Sequence, residues 1–373
     1  MTASSPHAET VVDLGAVRHN VSLLADRAPG AAVMCVVKAD AYGHGAVPVG
    51  RAAVEAGATW LGTCSLQEAL DLRAAGLSVR LFSWLDVPEL DFAPGIEADI
   101  DLGVSSLGEL ARVDAAAELA GKRARVHLKI DTGLSRNGCP PADWPALVEA
   151  AAKARGVEVV AVWSHLACAD ELGHASIDAQ AKLFSEAYDA ARAAGLDPFR
   201  HLANSAATLT RPDLHFELVR PGIAMYGLNP VPTDDDLRPA MTFRSSVVLT
   251  KPLAAGESVS YGHTWTAGED TTLALVPAGY ADGVPRTLSG RMDVWLGGRR
   301  RPVVGRVCMD QLVVNVGNED VPRVGDEVVL FGSGSSGEPT AREWADKLGT
   351  IDYEIVTSMY RPRVQRRYVG ERA

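Results

Sequence analysis

Two hydrophobic rhythms alternate up to about residue 228. Short runs that are apolar at nearly every position lie at 33–37, 59–63, 79–85, 100–104, 126–130, 159–165, 199–204 and 218–224. Continuous apolar runs of this length suit strands buried on both faces, as in a parallel sheet. Between them, alanine- and leucine-rich stretches such as 66–75, 107–120 and 175–194 carry helical spacing. Gly57, Gly76, Gly121 and Gly195 stand where helices end, because a C-terminal cap often needs positive φ. Eight alternations of this kind predict a (β/α)8 TIM-type barrel. An open doubly wound sheet is the alternative, but no Gly-x-Gly-x-x-Gly loop follows the first strand.

The rhythm changes after a proline- and aspartate-rich stretch at 229–239. Closely spaced strands are predicted at 245–250, 272–276, 293–296, 303–307, 312–316 and 327–331, with one helix at 340–348. The expected organisation is a barrel over residues 1–232 followed by a mainly-β domain over 233–373. Residues 332–337, GSGSSG, read as a surface turn.

Composition narrows the function classes. The 373 residues carry 47 acidic and 36 basic side chains, a formal charge of −11, which disfavours polyanionic partners such as nucleic acid or a membrane surface. No apolar run reaches transmembrane length, and the polar first ten residues lack a signal-peptide core. Five widely spaced cysteines with no Cys-x-x-Cys exclude a zinc ribbon or iron–sulfur site and suit a reduced, cytoplasmic setting.

A barrel of this kind does its chemistry at the C-terminal ends of its strands. The first strand runs out at Lys38, where a desolvated amine can form a Schiff base. The fifth carries His127, Lys129 and Asp131 on one face, with Arg136 in the following loop. The next three end in Ser164-His165, Asn204-Ser205 and Arg220-Pro221-Gly222-Ile223. Each residue has a bland reading: a core histidine, a capping serine or an ion-paired arginine. Polar or ionisable residues at the ends of five strands in one barrel are hard to explain as scaffold. Asn204-Ser205 opens an alanine-rich stretch like a helix N-terminus, where a phosphate is favoured.

The segments VVKADAYGHG from Val36, DTGLSRNG from Asp131, WSHLACAD from Trp163, HLANSAA from His201, VRPGIAMYG from Val219, SYGHTW from Ser260, GYADGVPR from Gly279, GRVCMDQLVV from Gly305 and IDYEIV from Ile351 resemble the alanine racemase family. They span almost the whole chain. The resemblance implies pyridoxal 5'-phosphate (PLP) as cofactor and interconversion of L- and D-alanine, supplying D-alanine for peptidoglycan. It implies that Lys38 holds PLP and that Lys38 and Tyr261 are the two opposed acid–base groups. Tyr42, Ser205, Gly222, Ile223 and Tyr353 would bind the phosphate, with Asn204 and Trp84 also lining the cofactor. Arg220 would face the pyridine nitrogen, and His165 would link Arg220 to Tyr261. Arg136, Met309, Tyr280 and Asp310 fall on the substrate side, with Arg286 and Arg306 near the entrance. Lys129 resembles a lysine carbamylated in many members. The family also implies a homodimer with shared active sites.

Three rivals remain. A racemase of serine, lysine or a broader amino-acid set would look much the same. A same-fold decarboxylase would carry a carboxylate in place of Arg220 and a late catalytic cysteine. A non-catalytic PLP-binding protein would lack the β domain. Asn315, Gln365 and the stretch 359–361 depart from the common family pattern without removing a catalytic group.

Overall fold

The computed structural model describes residues 7–370. Its chain clusters into two compact units. One comprises Val17–Ala41 and Gly45–Leu237; the other comprises Tyr42–His44, the residues from Arg238 onward and the described residues up to Ala16.

The first strand, β1 (Ala8–Asp13), belongs to the second unit. The eight that follow are β2 (Ala32–Val36), β3 (Trp60–Thr63), β4 (Arg80–Ser83), β5 (Ile100–Val104), β6 (Ala124–Lys129), β7 (Val157–Trp163), β8 (Phe199–His201) and β9 (Leu218–Val219). They form a single parallel sheet in the order β8-β7-β6-β5-β4-β3-β2-β9. The gap between β9 and β8 is bridged by the Arg220 N–H, which donates to the Ala203 carbonyl at 2.9 Å. This nearly closed barrel matches the eight expected strands in order. Helices return between strands, among them Leu66–Ala74, Leu107–Ala120 and Ala175–Ala193. Ser65 and Glu68 form a capping box at the first, and Gly121 closes the second in the left-handed conformation.

Several strands are shorter than the apolar runs that predict them. β2 stops at Val36, and Ala39, Asp40, Ala41 and Tyr42 follow with φ of 52°, 51°, 54° and 53°. Lys38 therefore leaves the strand into one turn of left-handed helix rather than continuing its pleat. Such a turn costs roughly 1–2 kcal/mol per L-residue. It is held by the Ala41 N–H on Val37 O at 2.8 Å, by the Ala39 N–H on Glu68 Oε1 at 2.7 Å, and by the Ala46 N–H on Asp40 Oδ1 at 2.8 Å.

The barrel interior packs Met34, Trp60, Phe82, Trp163 and Leu218 against one another, with Ala32, Trp84 and Phe199 at the margin. Phe82 meets Trp163 edge-on at 5.3 Å and stacks on His127 at 4.1 Å.

The second unit is mainly β: β10 (Met241–Ser246), β11 (Leu249–Leu253), β12 (Ser258–Val259), β13 (Trp265–Thr266), β14 (Thr271–Val276), β15 (Asp293–Leu296), β16 (Arg299–Val304), β17 (Leu312–Asn315), β18 (Glu327–Phe331) and β19 (Gln365–Val369). β1 pairs antiparallel with β10 and parallel with β19, which is why the described N-terminal residues cluster with this unit although the sequence reading gave them to the barrel. The strand expected at 245–250 is two strands. Val247 N–H turns to Asp326 O and Val248 N–H to Leu275 O, so the chain changes pairing partner there. Strand β19 escaped the sequence reading because Gln365, Arg366 and Arg367 carry no apolar alternation. Among the described residues no helix is long and apolar enough to cross a membrane.

Phe82 is fully enclosed, so Phe82→Ala should lower stability by about 3–5 kcal/mol through lost burial and a residual cavity. Denaturant titration checks this, and a loss below about 1 kcal/mol would mean that the interior collapses freely around the missing ring.

Candidate active site

In the barrel unit the sequence-predicted groups gather at the C-terminal strand ends. Lys38 opens the left-handed turn, half-buried, with Nζ 5.9 Å from the Trp84 ring centre. Trp84 lies 6.2 Å from Trp163, centre to centre. Above Trp163 sit two cations: Lys129 Nζ at 4.1 Å and the Arg220 guanidinium carbon at 5.1 Å. Both cations are buried, Lys129 at 2% exposure and Arg220 at 4%.

Arg220 is held entirely by neutral groups. Its Nη2 donates to Ser164 O at 2.8 Å and Leu202 O at 3.1 Å and lies 3.3 Å from His165 Nδ1. Its Nη1 lies 3.1 Å from His201 Nδ1. Burial lowers its pKa to about 9, still cationic at neutrality. Gln180 steadies the neighbouring turn, donating to His165 O at 3.0 Å and to Thr132 Oγ1 at 3.1 Å.

Lys129 donates to Asn137 Oδ1 at 2.5 Å. Burial first, and then the charges of Arg220 and Arg136, lower its pKa to about 7. The loop carrying Arg136 folds back on β6: Cys139 N–H donates to Lys129 O at 2.8 Å and Asp131 N–H to Cys139 O at 2.9 Å. Gly138 allows this at φ 117°, where a Cβ would meet Asp131 N at 2.8 Å. Asp131 accepts from Gly133 and Ser135 N–H groups, so it shapes the loop. Arg136 itself is exposed at the rim.

Burial again, followed by Arg220, Arg136, Lys129 and Lys38, holds His165 well below the usual imidazole range. All four named charges are positive. Asp101, a buried carboxylate in the barrel interior, is engaged by Arg125 and His127.

Asn204, rather than Ser205, caps the helix Ser205–Thr210, accepting from the Ala207 N–H at 3.1 Å. Ser205 Oγ instead accepts the Gly222 N–H at 2.8 Å and the Ala224 N–H at 3.3 Å. Its two lone pairs are thereby used, and its own proton has no acceptor among the described residues. Ile223 begins a short 3₁₀ turn, which leaves its N–H without an intrahelical acceptor. A buried hydroxyl donor, the Ile223 N–H and a set of cations with no carboxylate in direct contact among the described residues form a donor set that fits a phosphorylated, carboxylate-carrying occupant.

The second unit presents its own groups. Tyr42 and Tyr353 lie 5.9 Å apart, ring to ring. Tyr261, 71% exposed, sits on a turn whose Ser260 has φ 65° and whose Ser260 Oγ donates to Arg306 O at 2.8 Å. The Tyr280 and Ala281 N–H groups donate to Cys308 O and Met309 O, both at 3.0 Å. That contact requires Gly279, since a Cβ there would lie 2.3 Å from both carbonyl oxygens. Asp310 Oδ1 accepts from Arg363 Nη1 at 2.6 Å.

Sequence reasoning missed Glu68, Asn137, Gln180 and Arg363. Only Glu68 had a local signal, the Ser-x-x-Glu capping pattern, and its bond to Ala39 lay beyond that pattern.

The family profile described as alanine racemase, N-terminal domain, matches residues 12–230, and that described as alanine racemase, C-terminal domain, matches 240–368. A protein named alanine racemase from Salinispora arenicola is 55% identical over 98% of this chain and 99% of its own. One from Mycobacterium avium is 52% identical over 97% and 95%. The crystal structure of alanine racemase from D-cycloserine-producing Streptomyces lavendulae superposes with a TM-score of 0.96 at 51% identity, covering 99% of this chain and 98% of that one. Alanine racemase from Streptomyces coelicolor gives 0.95 at 54%, covering 98% of each.

Lys129 titrates near 7 in the folded chain and near 10.4 when unfolded, so the unfolded state holds more protons between those values. Stability relative to Lys129→Met should therefore rise with pH from about 7 to about 10 in carbon-dioxide-free buffer. Thermal melts across that window check it; a flat difference would show that the buried amine is not destabilised.

Proposed function

The chain belongs to the alanine racemase family, and from that premise we propose that it interconverts L- and D-alanine with PLP as cofactor, providing D-alanine for peptidoglycan. The observation that carries this reading is the buried cationic cluster at the strand ends, together with a phosphate-type cradle at Ser205, Gly222 and Ile223.

PLP, when bound, supplies the electron delocalisation that makes an amino acid's α-hydrogen removable. Lys38 would hold it through its amine, with Trp84 beside that amine and Asn204 shaping the helix start at the cradle. Tyr42 and Tyr353 would add phenol hydroxyls for the phosphate. Arg220 would donate to the pyridine nitrogen. A guanidinium cannot accept a proton from it, so it would leave that nitrogen neutral and moderate the electron demand.

Racemisation needs a proton removed on one face of the α-carbon and returned on the other. Lys38 would serve one face and Tyr261 the other. To act as a base a phenol needs a cation nearby, and Arg220, with the neutral His165 between them, would supply it for Tyr261. Arg136 and the Met309 N–H would receive the substrate carboxylate, with Tyr280, Asp310, Arg286 and Arg306 on the approach. The near-neutral amine of Lys129 would add to carbon dioxide and release a proton, replacing a cation by an anion that faces Arg136. Asn137 could keep its bond to the remaining N–H.

We place the enzyme in the cytoplasm as a homodimer, in which Tyr261 of the partner subunit completes each Lys38 site. Five unpaired cysteines accord with a reducing compartment.

L-alanine given to the PLP-loaded enzyme in heavy water should yield D-alanine carrying α-deuterium, read by chiral chromatography and mass spectrometry. D-alanine without deuterium, or none at all, sinks the proposal; serine or lysine racemised faster than alanine would replace the substrate. Lys38→Ala and Tyr261→Ala chains, each inactive, should recover part of their activity when mixed. Confirmed subunit exchange without recovery would rule out shared sites.

A further inference from the structure

The barrel interior contains a polar chain that the proton transfers above do not use. The alternation of β6 places Arg125, His127 and Lys129 on one face of the strand, the last two buried. His127 is wholly enclosed and stacked on Phe82. Its Nε2 lies 3.1 Å from Asp101 Oδ2, and its Nδ1 lies 2.9 Å from His201 Nε2. His201 Nδ1 reaches Arg220 Nη1 at 3.1 Å. Asp101, 1% exposed, receives Arg125 Nε on both oxygens at 3.0 and 3.3 Å. A single file of hydrogen bonds therefore runs from the N-terminal part of β5 and β6 to Arg220 beyond the end of β9.

The file admits one placement of protons with both rings neutral. Arg220 can only donate, so His201 Nδ1 carries a lone pair and Nε2 carries the hydrogen. That hydrogen goes to His127 Nδ1, so the His127 hydrogen is on Nε2 and goes to Asp101, which only accepts. A second proton on His201 would set N–H against guanidinium N–H, and one on His127 would set it against the His201 N–H. Burial lowers the pKa of both imidazoles, in keeping with neutral rings. Stacking fixes both ring planes, His127 on Phe82 and His201 on Trp163 at 5.4 Å and 8°.

We propose that Asp101 is a positioning residue for Arg220, its negative charge polarising His127 and His201 in series so that His201 Nδ1 anchors the guanidinium. Arg220 is buried with only neutral partners in direct contact, and a buried cation needs a counter-charge. Aligned hydrogen bonds in a low-dielectric interior strengthen one another, which lets a carboxylate two rings away contribute. The catalytic consequence rests on the role proposed above for Arg220; the anchoring does not.

Nitrogen-15 NMR of the ligand-free protein tests this. Both His127 and His201 should appear as neutral Nε2–H tautomers, and the Arg220 guanidinium hydrogens should exchange slowly. Asp101→Asn removes the charge, and His127→Phe cuts the file while keeping a flat ring on Phe82. In either variant the guanidinium exchange should quicken about tenfold relative to the backbone amides of β6, a comparison that cancels general loosening of the barrel. In PLP-loaded enzyme, kcat should fall about 10- to 100-fold while the KM for alanine stays within about threefold. His201 protonated at Nδ1 in the parent protein, exchange unchanged in Asp101→Asn, or faster exchange with kcat unchanged would each overturn the proposal. Absence of alanine racemisation alongside the predicted exchange would defeat the functional reading and leave the anchoring intact.

Discussion

A guanidinium buried inside a barrel governs how the rest of the interior is arranged. Arg220 cannot shed its charge at neutral pH, and it is almost wholly buried. Its four hydrogen-bond partners are two backbone carbonyls and two imidazoles. Each imidazole must present a lone pair, which dictates where its hydrogen lies. The demand passes from Arg220 through His201 and His127 to Asp101, and the carboxylate is balanced at its far side by Arg125. Removing any one member would leave a buried donor or acceptor unmatched, and such a group costs about 1–3 kcal/mol.

The same constraint shapes the mouth of the barrel. Lys129 lies close enough to Arg220 and Arg136 for their charges to depress its pKa, and the same cations depress that of His165. The groups that hold this array are backbone-directed. Glu68 ties down the left-handed turn after Lys38, Gln180 holds the His165 carbonyl, and Ser205 gathers two N–H groups from the segment after β9. A net charge of −11 describes the outer surface of this chain and hides a local reversal. Such a reversal is poorly satisfied by protein alone and well satisfied by an anionic occupant.

Much of the architecture was legible in the chain. Eight apolar runs became the eight barrel strands because strands covered on both faces need continuous apolar sequence. Helix boundaries at 66, 107 and 175 agreed with capping residues and glycines, which act through local backbone geometry. Local signals failed where pairing was remote. The strand at 245–250 divided because Val247 and Val248 find different partners, and Gln365–Val369 became a strand only by lying alongside β1.

The sequence by itself determined the order of elements, the change from barrel to β-rich chain and the kinds of chemical group at the strand ends, since periodicity and motif spacing are properties of neighbouring residues. Tertiary structure decided what those groups do to one another. Asp101 lay unremarked within an apolar run, yet it meets His127 across 26 positions, and His127 meets His201 across 74. Hydrogen-bond direction, tautomer and pKa depend on distances between side chains brought together only by barrel closure, and no local pattern encodes them.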